Sequence, residues 1–236
     1  MSAVLNNKRE NVWLYLIMPV VVLHLVPVCV YGAFYAIASQ QPGGISNVNA
    51  TQPLFWLYLL IATTMWGFAI FAVFKLKREG ASLLGLIAPG GNLLKFKWLP
   101  ALGIFLAFNA IFIAYIGLTF LLTGQWYSYR GLSDWQRIVF ITLLPISAGF
   151  TEELYWRGFI ISRLRGHGQT VQCAIALSAI SFSLIHGIFL PDKLLVTFLI
   201  GIVSGIYYAR ERNLLPLIFT HAFVDTWSYG LSLFIV

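Results

Sequence analysis

Seven apolar runs, most of them long enough to cross a bilayer, divide this chain and leave few folds open to it. They are Trp13–Ala38, Pro53–Phe74, Trp98–Leu122, Arg137–Ile161, Val171–Leu190, Leu194–Ala209 and Leu214–Val236. A transmembrane helix needs about 20 consecutive apolar residues, and among these runs Leu194–Ala209 reads as short. Only 10% of the residues are charged, against about 25% in a soluble domain. These features predict an all-α fold: a polytopic transmembrane helix bundle of about seven spans. Lys8 and Arg9 precede the first run as in a secretion signal, but that run is too long for a signal's apolar core of about 7–15 residues. It is read as the first span.

The segments between the runs are short. Gln40–Gln52 contains Pro42, Gly43 and Gly44 and reads as a polar turn. Lys75–Lys97 is basic at both ends, contains Pro89-Gly90-Gly91 and is too polar to span, so it is expected at the interface. Gly124–Gln136 is rich in Trp and Tyr, as at a membrane surface. The formal charge of +7 does not point to nucleic acid, because the basic residues sit between the apolar runs, where they set topology. With the N-terminus in the cytoplasm, the inner segments hold Lys8, Arg9, Lys75, Lys77, Arg78, Lys95, Lys97, Arg163, Arg165, Arg210 and Arg212, and the outer ones only Arg130, Arg137 and Lys193. That bias predicts a multi-pass protein of a prokaryotic cytoplasmic membrane, N-terminus inside. The sequon Asn49-Ala50-Thr51 would fall outside and is given no role. Cys29 and Cys173 lie in apolar runs and read as small buried hydrophobes. Gly201 and Gly205 in the sixth run form a small-xxx-small pair that suits close helix packing.

Against this background Gly149-Phe-Thr-Glu-Glu-Leu-Tyr-Trp-Arg-Gly158 stands out. It places Glu152, Glu153 and Arg157 inside a span, where a charge costs about 2.5–3.5 kcal/mol or more. The fifth run carries His186, and the seventh His221 and Asp225. Runs one and three offer little beyond His24 and Asn109. Ionisable groups within a bilayer face a bundle interior or a wet cavity, so convergence is expected. Glu153 and Arg157 are four apart and can pair on one helical face. Glu152 is rotated about 100° from Glu153 and is free for a different task. His221 and Asp225 are also four apart, so Asp225 could hold one imidazole nitrogen and fix the tautomer. Phe182, four residues before His186, would form an aromatic wall beside that ring.

Two carboxylates, two histidines and an arginine, with no nucleophile in evidence, suit hydrolysis by activated water. A desolvated carboxylate can act as a general base, one histidine can orient the water or protonate the leaving amine, and another can donate to an oxyanion. Glu152, His186 and His221 would equally supply three ligands to a catalytic zinc with one open position. These alternatives stay open at the level of sequence.

Glu152-Glu153-x-x-x-Arg157, Phe182-x-x-x-His186 and His221-x-x-x-Asp225 resemble, in order, the three motifs of the CAAX prenyl protease and bacteriocin-processing family of Abi-type intramembrane proteases. The resemblance covers roughly Arg137–Val236. It divides the chain into N-terminal transmembrane helices with an interfacial loop, 1–136, and a catalytic helical core, 137–236. It implies an all-helical endopeptidase acting on a peptide or a lipidated protein, such as one whose C-terminal tripeptide is removed after prenylation, or processing a membrane-associated peptide. By motif position it implies Glu152 as the water-activating base with His186, Glu153 and Arg157 as its support, and His221 with Asp225 as the oxyanion site. Asp225 departs from the family, where asparagine often stands. An ionised aspartate cannot donate to an oxyanion, so Asp225 must be protonated or act by orienting His221. Expected partners are the peptide or lipidated substrate and membrane lipid, without nucleic acid.

Two readings from other classes remain at this stage. A proton-coupled transporter could use the same carboxylates as a relay, although transporters spread polar groups through both halves. A non-catalytic scaffold or immunity partner could keep the fold alone.

Overall fold

The computed structural model describes residues 11–40, 51–88, 97–124, 131–187 and 191–234. The predicted turn at Pro42-Gly43-Gly44, the sequon at Asn49, Pro89-Gly90-Gly91 and the aromatic-rich 125–130 lie outside them. Among the described residues every regular element is helical, as the apolar runs required. In chain order these are α1 (Val12–Ala38), α2 (Thr51–Arg78), the short α3 (Leu83–Ile87), α4 (Trp98–Thr123), α5 (Asp134–Ile141) and α6 (Leu143–Glu152). A π-helical segment (Glu153–Ile160) follows, then α7 (Ile161–Gly166), α8 (Val171–Leu184), α9 (Pro191–Glu211) and α10 (Leu215–Phe234).

Val12–Ala38, Pro53–Arg78, Trp98–Thr123, Asp134–Gly166 and Lys193–Glu211 are long and apolar enough to cross a membrane. The protein is an integral membrane protein. The other two runs form α8, an apolar helix of 14 residues, and α10, of 20 residues. The run expected to be short, Leu194–Ala209, extends to 21 residues. The fourth run begins earlier than Arg137, because a capping box closes its N-terminus: the Gln136 side chain accepts from the Ser133 backbone at 2.9 Å. A break at Thr142 separates α5 from α6 and leaves Pro145 in the first turn of α6, where its missing N–H costs no helical bond.

Contacts order the bundle from one end to the other. At the first end Arg163 meets Glu79 at 2.6 Å, Lys97 meets Glu211 at 2.7 Å, and the Leu214 N–H donates to the Ile87 carbonyl at 3.1 Å. Further in, the Tyr15 ring packs on Phe71 and Phe159. At the opposite end Phe140 packs on Phe55 and Tyr229, and Trp227 donates to Asn109 at 3.1 Å. Residues that charge bias assigned to one membrane face therefore meet at one end of the bundle.

The N-terminal helices are tied to the motif-bearing core through proline. Pro19 has no N–H to give the Tyr15 carbonyl. Tyr155 supplies the bond instead, its hydroxyl donating to that carbonyl at 2.9 Å, and the Ser181 hydroxyl donates to the Leu16 carbonyl at 2.8 Å. Gly201 and Gly205 do what their spacing suggested. A Cβ on Gly201 would lie 2.8 Å from that of Ala179, and one on Gly205 2.8 Å from the Ile175 side chain, so α8 and α9 touch backbone to backbone there. The cysteines differ from expectation: Cys29 is exposed and Cys173 partly so. On a helix in a bilayer an apolar thiol can face outward as comfortably as inward.

Candidate active site

The candidate site forms where the fourth run changes helical type. From Glu153 to Ile160 the backbone is π-helical, and every residue of that segment is buried. The π turn shifts the bond from i+4 to i+5, so the Ile161 N–H reaches the Trp156 carbonyl. The Ser178 hydroxyl donates to the same carbonyl at 2.9 Å. Glu152 is the last residue of α6 and Glu153 the first of the π-helical segment. Both face α10.

Gly149 allows that approach. A Cβ there would lie 2.7 Å from the Ile218 carbonyl oxygen and 3.0 Å from the Ala222 nitrogen. With α6 and α10 in contact, His221 Nδ1 reaches Glu153 Oε1 at 2.9 Å. The other Glu153 oxygen lies 3.2 Å from Arg157 Nε, which donates to Ser204 Oγ at 2.7 Å. The Arg157 guanidinium also lies over the Phe182 ring, 4.1 Å from its centroid. Among the described residues its two terminal nitrogens find no hydrogen-bond acceptor, and the ring face and the Glu153 charge hold it.

The residues singled out in the sequence therefore do converge, in two layers. Glu153 and Arg157 lie behind. Glu152, His186, His221 and Asp225 line a cavity of about 720 Å³ together with Phe182 and Thr151. His186 follows the end of α8, in the turn rather than in the helix. Its Nδ1 meets the Phe182 carbonyl at 2.8 Å. A carbonyl only accepts, so Nδ1 carries the hydrogen and Nε2 of the neutral ring carries the lone pair. That Nε2 lies 3.8 Å from Glu152 Oε2, and His221 Nε2 lies 3.7 Å from the same oxygen. Asp225 Oδ2 lies 3.7 Å from His221 Nε2. His221 Nδ1–H thus donates to Glu153, on another helix, and not to Asp225 four residues along the same one. The Phe182 ring sits 4.7 Å from His186 and edge-on to His221 at 6.2 Å.

Sequence reading missed Gly149, Ser204 and Lys193, the last of which lines the same cavity. Gly149 and Ser204 carry no local signal, because their value comes from the backbone or side chain that another helix brings to them. His24 and His167 stay apart from the site, each bonded to a carbonyl four residues earlier on its own strand of chain.

Tetrahedral zinc held at about 2.0–2.1 Å needs donors roughly 3.4 Å apart. Among the described residues no three His, Cys, Asp or Glu side chains converge as a metal site. Glu152 Oε2 stands 3.8 and 3.7 Å from the Nε2 atoms of His186 and His221, slightly wider than zinc requires.

Fold and site together define an integral membrane protein with a buried carboxylate–imidazole centre opening on an apolar cavity. Residues 134–227 match the family described as type II CAAX prenyl endopeptidase, Rce1-like, and over that stretch the chain is similar to that family. All three motifs fall within the matched residues. No curated protein and no solved structure matches the chain.

Proposed function

We propose that this protein is an intramembrane endopeptidase that cleaves a peptide bond with water activated by Glu152. The observation that carries the reading is Glu152 Oε2 facing Nε2 of His186 and His221 at 3.8 and 3.7 Å. These gaps are too long for direct hydrogen bonds, yet a water about 2.8 Å from each atom fits beside either line.

The water gives one hydrogen to Glu152 and the other bonds to the His186 Nε2 lone pair, while its oxygen attacks the scissile carbonyl carbon. The carbonyl π bond breaks and its electrons become an oxyanion. Flanked by carboxylates, His221 can hold hydrogen on both nitrogens, giving Nδ1–H to Glu153 and Nε2–H to the oxyanion. Collapse breaks the C–N bond, and the proton held by Glu152 passes to the leaving amine. Glu153 and Arg157 keep His221 oriented. Asp225 acts through His221, which suits an aspartate where an oxyanion donor is not needed. The apolar walls suit a membrane-associated peptide or a lipid-bearing tail. A prokaryotic cytoplasmic membrane with the N-terminus inside agrees with the distribution of basic residues.

The test is incubation of purified protein with peptide substrates, including a farnesylated CAAX peptide, with and without chelator, scored by mass spectrometry. Glu152→Gln and His186→Ala are expected to insert and fold but to lose cleavage. Cleavage retained by both variants would sink the reading. Chelator sensitivity reversed by zinc would replace the metal-free route with a metal-assisted one.

A further inference from the structure

The cavity does not lie symmetrically about the carboxylates. Its walls come from the first half of α2 (Leu54 to Met65), the second half of α4 (Phe108 to Thr119), the first half of α9 (Lys193 to Ile200) and the second half of α10 (His221 to Ser232). α2 and α9 run toward the ion-paired end of the bundle, where Glu79 meets Arg163 and Lys97 meets Glu211, whereas α4 and α10 run away from it. Each of these half-helices is therefore the one remote from that end. The cavity begins at the buried carboxylates and extends only toward the opposite end, marked by Phe55, Phe140 and Tyr229.

Charge distinguishes the ends. Among the described residues eight Lys and Arg lie in the segments at the ion-paired end and two, Arg137 and Lys193, in those at the other, Arg157 within its span set aside. Short basic segments are retained in the cytoplasm during insertion. The ion-paired end is then cytoplasmic, and the cavity extends to the outer face.

We propose that water and substrate reach Glu152 from the extracytoplasmic side, and that the substrate is a membrane-associated peptide or protein segment already exposed on that side. A protein tail in the cytoplasm lies across the membrane from this cavity, separated from it by the packed layer of Tyr15, Phe71, Phe159 and the Arg157–Glu153 pair. Lys193 and Asp225 at the cavity wall give such a segment polar contacts in an otherwise apolar chamber. The choice of substrate rests on the endopeptidase reading; the sidedness does not.

Sidedness is tested in the full chain with Cys29→Ser and Cys173→Ser as background. Ser232→Cys and Thr119→Cys place a thiol on the cavity wall at its outer part, and Arg165→Cys places one at the basic end. Sealed spheroplasts are treated with a membrane-impermeant maleimide before and after permeabilisation. The expected result is labelling of Ser232→Cys and Thr119→Cys in sealed spheroplasts, and of Arg165→Cys only once they are permeabilised. The reverse pattern overturns the proposal, and so does failure of both wall positions to label in permeabilised spheroplasts. Peptide added outside should be cleaved by sealed spheroplasts and not by sealed inverted vesicles. Correct labelling with no cleavage in either preparation counts against the endopeptidase reading and leaves the sidedness standing.

Discussion

Gly149→Ala is the substitution that tests whether helix contact, rather than the motif residues alone, builds the site. The added Cβ would sit 2.7 Å from the Ile218 carbonyl oxygen, where ordinary contact begins at 3.4 Å. The obstacle is backbone, so no rotamer change relieves it, and α6 and α10 must part locally by about 0.7 Å. Glu153 lies one turn beyond Gly149, and its oxygen meets His221 Nδ1 at 2.9 Å. Parting of that size takes the bond past the range of about 2.7–3.2 Å in which it is strong. The overpacking should destabilise the protein by about 1–3 kcal/mol. Displacement of a positioned group by about 1 Å can cost of order 100-fold in rate, so kcat should fall about 10- to 100-fold with KM little changed. Gly205→Ala is the control: its Cβ would lie 2.8 Å from the Ile175 side chain, a comparable overpacking of two helices, but that contact lies away from the carboxylates. The measurement is steady-state cleavage beside a thermal unfolding midpoint for each variant in detergent. If Gly149→Ala is folded and keeps the parent kcat, helix contact does not set the site and the reasoning fails.

Four further outcomes are expected. Ser204→Ala removes the hydroxyl 2.7 Å from Arg157 Nε and should cost about 1–3 kcal/mol, since a buried guanidinium nitrogen loses its acceptor; chemical denaturation measures it. Tyr155→Phe should destabilise by about 1–3 kcal/mol, because the Tyr15 carbonyl that Pro19 cannot serve loses its 2.9 Å donor; if the midpoint does not move, this tie between α1 and the core is energetically silent. Glu79→Ala leaves Arg163, almost fully buried, without its carboxylate, a loss of about 3–5 kcal/mol. Lys97→Ala breaks a pair whose lysine is largely exposed and should change the midpoint by no more than about 1 kcal/mol.

The sequence was enough for the helical class and the order of the spans. Long apolar runs allow only helices in a bilayer, because backbone groups there must bond within their own segment. Charged side chains in those runs are costly enough to mark themselves, so Glu152, Glu153, Arg157, His186, His221 and Asp225 were visible before any fold. What sequence could not reach was who meets whom. Four-residue spacing paired His221 with Asp225, yet Glu153 on another helix takes its Nδ1. Spacing assumed an α-helix at Glu153, where the backbone is π-helical. Gly149 and Ser204 looked ordinary until α10 and Arg157 were placed against them. Composition, hydropathy and residue chemistry are local and are written in the chain. The direction of the cavity, the layer of Glu153 and Arg157 behind Glu152, and the tie from Pro19 to Tyr155 depend on distances between helices, which only packing decides.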